Sequence, residues 1–301
     1  MKSMQLFIRA SRPFFLGGGI LMYALGVAIA SYLGKTIDLS AYLTGQVWVT
    51  LLQLSTHYFN EYYDSPADQA NNNRTILTGG SGAVGPNLLS RRTMLLAGLT
   101  CLAFLASTTV ILVSSLQPGP AAYVIMVLAF LGSFYYSTPP VRLEATGYGE
   151  VTATLLVTFL LPAFAYYLQT GELHRLLAMT SFPLAALMMA MLIAFELPDF
   201  VNDLKYEKNT LLVRLGWQTG ISMHNILILT AFLLLLLARL FGYPLFAMVS
   251  GMLPLPLALF QIWQMRSIVN GAKPNWNGLT IVALSLFALT AYLLAYAFWV
   301  N

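Results

Sequence analysis

Charge is scarce in this 301-residue sequence. Its 15 basic and 11 acidic residues make up 9% of the chain, against about 25% in a water-soluble domain. Too little charge is present to cover a surface facing water, and 58% of the residues are hydrophobic, so the main solvent of this chain is lipid. Cysteine is nearly absent. The single Cys101 excludes an internal disulfide and a thiolate metal cluster. No segment alternates in polarity as a membrane β-barrel requires; 226–238 reads ILILTAFLLLLLA. A Gly-rich run, Thr78-Gly79-Gly80-Ser81-Gly82, lacks the following Gly-Lys-Ser/Thr of a nucleotide-binding loop. The net charge of +4 is spread over loops and forms no basic patch for nucleic acid.

What the sequence does have is long apolar segments. Nine are marked, at 13–33, 41–61, 93–116, 120–137, 149–169, 177–197, 221–241, 243–263 and 278–299. Each is close to the roughly 20 residues that cross a hydrocarbon core about 30 Å thick. The expected fold is an all-α polytopic bundle of nine transmembrane helices, one integral domain over 1–301. The first segment follows Lys2, Arg9 and Arg12, shows no clear cleavage site and is read as retained. An inside N-terminus puts 12 of the 15 basic residues on the cytoplasmic side, leaving Lys35, Arg175 and Arg239 outside. That bias predicts a plasma-membrane protein with cytoplasmic N-terminus and external C-terminus.

The acids follow the bases to the same face. Nine of the 11 fall there, and only Asp38 and Glu172 lie outside. None sits at mid-span, where an ion pathway would place one, so a transporter is the weaker reading. Two acid clusters stand out. The second span runs into Asn60-Glu61-Tyr62-Tyr63-Asp64-Ser65-Pro66-Ala67-Asp68, and the sixth into Glu196-Leu197-Pro198-Asp199-Phe200-Val201-Asn202-Asp203. Asp64 and Asp68, like Asp199 and Asp203, are four residues apart and would share a helix face. Pro66 and Pro198 leave the local geometry open, by kinking or restarting each helix. Two like-charged pairs at one membrane face call for a cation, and oxygen ligands without His or Cys suit Mg²⁺.

Basic residues follow each cluster: Arg74 after the first, then Lys205, Lys208 and Arg214 after the second. Acids that gather a metal, followed by bases that reach phosphate, outline a diphosphate site. For Arg91, Arg92, Arg266 and Lys273, simple topology is the preferred explanation. A third cytoplasmic loop, from Tyr135 and Tyr136 through Arg142 to Glu150, offers a second anion contact in Arg142. Its tyrosines either line an aromatic substrate site or anchor the helix at the lipid boundary. Tyr148, Glu150 and Glu196 lie on the same side, and none is singled out as a catalytic base. His57, one turn before Asn60, either touches the site or is structural.

These residues resemble the UbiA superfamily of intramembrane prenyltransferases. Its first motif, Asn-Asp-x-x-Asp-x-x-x-Asp, is similar to Asn60 through Asp68, with Glu61 in place of an Asp. Its second resembles Asp199 through Asp203 followed by Lys208-Asn209-Thr210-Leu211 and Arg214-Leu215-Gly216, with Glu207 where a Gly is usual. The stretch Tyr136-Ser137-Thr138-Pro139-Pro140-Val141-Arg142 leading to Gly147-Tyr148-Gly149-Glu150 loosely resembles the branch that prenylates 1,4-dihydroxy-2-naphthoate.

The resemblance implies Mg²⁺-dependent transfer of a polyprenyl group from its diphosphate to an aromatic acceptor. In the naphthoate branch the acceptor loses CO₂ and menaquinone precursors result. It implies metal binding by Asn60, Asp64, Asp68, Asp199 and Asp203, and substrate binding by Asn60, Arg74, Tyr136, Arg142, Asn202 and Lys205. Lys208 joins the four Asp residues as catalytic, with active-site loops around 62–90, 137–148 and 198–219. Its partners would be the donor, the acceptor and the bilayer, with no nucleic acid and no obligate protein partner. Alternatives are another acceptor (4-hydroxybenzoate, homogentisate, a chlorin, haem or a glycerol phosphate lipid) or, further off, a lipid or ion transporter.

Overall fold

The computed structural model describes residues 2–301, and within them the secondary structure is helical apart from an isolated bridge between Val84 and Leu89. A short α1 (Lys2–Ala10) precedes α2 (Pro13–Tyr32), α3 (Leu39–Gln69), α4 (Arg91–Leu116) and α5 (Pro120–Ser137). A 3-10 turn, Leu143–Ala145, leads to α6 (Gly149–Leu155), which passes through a π turn, Leu156–Leu160, into α7 (Leu161–Thr170). Then come α8 (Arg175–Glu196), the short α9 (Phe200–Lys205) and α10 (Leu211–Leu215), α11 (Trp217–Leu240), α12 (Leu245–Met252), α13 (Leu255–Val269) and α14 (Trp276–Val300).

Eight of the nine expected spans are helices long and apolar enough to cross a bilayer, with Gly149–Thr170 and Leu245–Val269 each counted as one. Expected 41–61 lies within α3. This helix has 31 residues, about 46 Å at the helical rise, but Gln46, Thr50, Gln53, Ser55, Thr56 and His57 make it too polar to join the eight. Its polarity has a structural reason. Gln53 and His57 line an internal cavity rather than the outer surface.

Successive rods run in alternating directions. At one end of the bundle, the start of α2 meets the end of α3 (Arg12 to Glu61, 2.8 Å) and the start of α4 meets it too (Arg91 Nε to the Tyr62 carbonyl, 3.0 Å). At the opposite end, the α2–α3 connection lies beside the end of α7, where Gln169 Oε1 accepts from the Asp38 amide at 2.8 Å. The broad apolar surfaces of α4 and α11, including Phe104, Val110, Ile226 and Leu233, point outward. They fit hydrocarbon, because every backbone group behind them is satisfied within its own helix.

Breaks in the rods fall where the sequence forces them. Pro162 has no N–H to donate, and the π turn just before it widens the helix so that Leu156 and Val157 face the internal cavity. Gly26 of α2 lies so near the Pro162 carbonyl that a side chain there would collide with backbone. Helix α8 is the most enclosed span and packs against α11, α14 and the π turn. It therefore delivers Glu196 and Asp199 into the interior of the polar end.

Candidate active site

The two acid clusters, 135 residues apart, face one cavity of about 200 Å³. Its walls include Asn60, Asp64, Asp68, Asp199, Asn202, Asp203, Lys208, Tyr136, Glu144, Glu150 and Glu196. The larger adjoining cavity, about 520 Å³, is lined by Arg9, Arg12 and Arg74 and holds no carboxylate, so both acid clusters belong to the smaller one.

Helix α3 continues unbroken through Pro66, which places Asp64 and Asp68 on one face. A proline leaves the carbonyl four residues earlier without its helical donor. Here that carbonyl is Tyr62, and Arg91 Nε supplies the missing bond at 3.0 Å while its guanidinium stacks over the Tyr62 ring. Sequence reasoning assigned Arg91 to topology alone; the proline was the available signal. At the second cluster Pro198 does interrupt the chain. Helix α8 ends at Glu196, and α9 restarts with Asp199 at its N-terminal boundary.

Asp64 is the most contacted of the four aspartates. Lys208 Nζ lies 2.6 Å from its Oδ2, Arg142 Nη2 3.2 Å from its Oδ1, and Asn60 Nδ2 donates at 3.1 Å. Asn60 also donates to Glu144 at 2.5 Å and to Ser137 at 3.1 Å, and its Oδ1 accepts from Arg12 at 2.6 Å. Its side chain is therefore a hub that ties α2, α3, α5 and the 3-10 turn together. Glu61 points away from the acids, accepting from Arg12 and, at 2.7 Å, from Ser81 Oγ.

The Gly-rich loop grips carboxylates of the protein itself. The Ser81 amide donates to Glu61, and the Gly79 amide and Asn71 Nδ2 (2.6 Å) both serve Asp199. Gly80 has φ +79°, and any side chain there would overlap the Asp68 carboxylate. Arg74 holds this loop, donating to the Gly79 and Asp68 carbonyls at 2.8 and 2.5 Å. It also faces the larger cavity, beside Arg9 and Arg12. Lys205 is exposed against the Tyr206 ring and lies outside the acid cavity. Asn202 lines the cavity and donates to the Ala67 carbonyl at 3.1 Å, bridging the two clusters.

Burial sets the electrostatics. It raises the carboxyl of Asp199 to about 6, against the lowering effect of Asn71 and Lys208, and that of Asp203 to about 7, with neighbouring aspartates adding to the rise. Lys208 is raised as well: burial disfavours its charge, but Asp64, Glu144 and Asp68 more than offset this. Asp68 Oδ2 is buried without a hydrogen-bond partner. Among the described residues no three acids converge tightly enough to cage a metal alone. Carboxylates that face a cavity from two sides fit Mg²⁺, which keeps water and substrate oxygens in its coordination shell.

The polar cavity continues into an apolar one of about 180 Å³. The two share Arg12, Phe15, Asn60, Tyr136 and Leu192, and the second extends past Gly18, Leu156, Met188 and Phe287 toward mid-bundle. His57 lines the apolar part, and its Nδ1 pairs with the Ser11 carbonyl at 2.9 Å. It acts as a structural tether.

A chain with this fold and this acid-lined cavity has relatives. Residues 19–281 match the UbiA prenyltransferase family, and the protein belongs to that family of membrane prenyltransferases. The 1,4-dihydroxy-2-naphthoate octaprenyltransferase of Bacillus subtilis (strain 168) is 23% identical over 223 residues, covering 73% of this chain and 68% of its own. Among solved structures, a UbiA homologue from Archaeoglobus fulgidus bound to DMAPP and Mg²⁺ superposes with a TM-score of 0.66 at 18% identity, covering 96% of this chain and 98% of that one. A digeranylgeranylglyceryl phosphate synthase gives 0.65 at 14% identity, covering 100% and 98%.

Proposed function

We propose that this enzyme transfers a polyprenyl group from its diphosphate to 1,4-dihydroxy-2-naphthoate, with loss of CO₂, in a Mg²⁺-dependent reaction at the cytoplasmic face of a plasma membrane. The observation that carries this reading is the junction of an acid-lined, Lys208-bearing cavity with an apolar cavity inside the bundle. A diphosphate with an isoprenoid tail has those two requirements in one molecule. The similarity to the Bacillus subtilis enzyme and the Tyr136–Glu150 stretch support the naphthoate acceptor.

Asp64, Asp68, Asp199 and Asp203 would hold the metal, and Asn60, whose Oδ1 accepts from Arg12, would orient Asp64 rather than bind the ion itself. When bound, Mg²⁺ supplies positive charge that offsets the diphosphate and the charge gained by the leaving oxygen. Lys208 adds a fixed cation on the same side, held in place by Asp64 before substrate arrives. A preorganised cation stabilises the leaving group more as the allylic C–O bond lengthens than it does in the ground state. Tyr136, Phe15 and Leu192 wall the junction against water, which would otherwise capture an allylic cation. The segments 62–90, 137–148 and 198–219 cap the cytoplasmic end of a single domain; the first begins as the last two turns of α3 and the third includes α9, α10 and the start of α11, so they are not plain loops. Helix α3 completes nine crossings and leaves the C-terminus outside.

Purified protein incubated with Mg²⁺, a labelled polyprenyl diphosphate and a panel of aromatic acceptors tests this by product mass. A decarboxylated prenylnaphthoquinol is expected. A different adduct replaces the acceptor, and absence of any adduct or diphosphate release from folded protein overturns the reading.

A further inference from the structure

Two buried carboxyls in the site are left over once metal and diphosphate are accounted for. Glu150 opens α6, Glu196 closes α8, and both line the acid cavity beside Tyr136 and Leu192, where it meets the apolar one. Neither joins an ion pair among the described residues. Each takes one backbone amide from the start of α10: Glu150 Oε1 from Leu211 at 3.1 Å, and Glu196 Oε2 from Leu212 at 2.8 Å. The two carboxyls also approach each other, and Glu150 is the acidic neighbour felt most strongly by Glu196. Glu150 Oε2 is buried and meets no donor group, and two enclosed carboxyls this close are tolerated only when one proton is shared between them.

Holding α10 would need only one acceptor per amide, and Gln or Asn would serve. A pair of acids sharing one proton does something those amides cannot, because it takes up or returns a proton without a new charge being created in isolation. The other charged and titratable groups facing the same space are Arg12, Tyr136, Glu144 and Lys208, together with Asp64, Asp68, Asp199 and Asp203 of the two acid clusters. Glu144 already accepts from Asn60 and Ser137, and Lys208 is bound to Asp64.

We propose that Glu150, paired with Glu196, accepts the phenolic proton of the acceptor ring as the new carbon–carbon bond forms; this rests on the aromatic-acceptor reading above. In that step the O–H electron pair becomes part of a C=O bond. A ring electron pair forms the bond to the allylic carbon, and the C–O pair leaves on the diphosphate. The proton resides on the Glu150–Glu196 pair. Where the attacked ring carbon carries a carboxylate, CO₂ then departs and its electron pair returns to the ring. The pair gives the proton back to the oxygen and is restored. Glu150 is thus a catalytic residue, and Glu196 positions it.

Glu150→Gln separates this role from a structural one, because the amide oxygen still accepts from Leu211. Three readouts are needed: thermal unfolding, turnover across pH with the aromatic acceptor, and donor ionisation followed by positional isotope exchange in labelled diphosphate. The expected result is unchanged unfolding and unchanged exchange, with acceptor turnover down roughly 100-fold or more. At saturating Mg²⁺, where proton competition at Asp199 and Asp203 is overcome, the acidic limb of the wild-type pH profile should also be lost, and a fluorinated, more acidic phenol should recover part of the rate. Unchanged turnover and pH profile would overturn the proposal, as would parallel loss of isotope exchange, which would make Glu150 a support for the Lys208 loop. If the wild type prenylates no aromatic acceptor, the functional reading falls and takes this proposal with it. If the wild type prenylates the aromatic acceptor and the Gln variant does so equally well, the proposal alone falls.

Discussion

Lys208 Nζ lies 2.6 Å from Asp64 Oδ2, across 144 residues of sequence. The base that follows the second acid cluster neutralises an acid of the first, so the halves of the site are joined before any ligand binds. Both groups are largely enclosed, with side chains 15% and 5% exposed. Removing Lys208 leaves Asp64 to Arg142 and Asn60. Lys208→Ala is expected to lower stability by about 1.5–3 kcal/mol, the range for a charged hydrogen bond, and turnover with it. Lys208→Arg should recover stability more than turnover, since the planar fork cannot reproduce a point charge. Thermal unfolding and steady-state rates in detergent read the two effects separately.

Asp68 offers a cleaner probe of metal binding than Asp64. Its Oδ2 is buried without a partner, so Asp68→Asn removes charge and breaks no observed side-chain bond. Mg²⁺ affinity should fall at least tenfold while the unfolding temperature holds or rises. Asp64→Asn should lose both affinity and stability. Equal behaviour of the two variants would contradict the geometry.

Proton competition follows from the raised carboxyls. With Asp199 near 6 and Asp203 near 7, each carries more proton as pH falls through those values, and Mg²⁺ must displace it. Lowering pH from 8 to 6 should weaken Mg²⁺ binding about 20-fold. Calorimetry in buffers of different ionisation heat would register the released protons. Proton release that does not change over this range would remove these two residues from the metal site.

Gly18 lines the apolar cavity, and a Cβ built there meets nothing within 4 Å. Gly18→Phe should fold normally and fill the groove, raising KM for long polyprenyl diphosphates while sparing a five-carbon donor. A uniform effect on all donor lengths would place the tail elsewhere.

Glu207 adopts φ 55°, a left-handed conformation costly for most side chains. Glu207→Gly should stabilise the protein by about 0.5–1 kcal/mol with turnover retained, as measured by thermal unfolding.

Composition and run length alone determined the helical membrane class, eight of the spans and the side of the bundle on which acids and bases gather. Solvent preference is additive along the chain, so it can be read locally. The i, i+4 spacing likewise placed Asp64 and Asp68 on one face, because a helix converts sequence distance into direction. Which charge meets which was decided only by tertiary structure. Arg74 and Lys205 looked as suitable for phosphate as Lys208. In the fold Arg74 donates to the Gly79 and Asp68 carbonyls, Lys205 is exposed beside Tyr206, and Lys208 meets Asp64. The Glu150–Glu196 contact was also beyond sequence, since its members lie on separate helices. Coulomb and hydrogen-bond energies depend on distances of a few ångströms and on burial, and the packing of α3, α6 and α8 sets both.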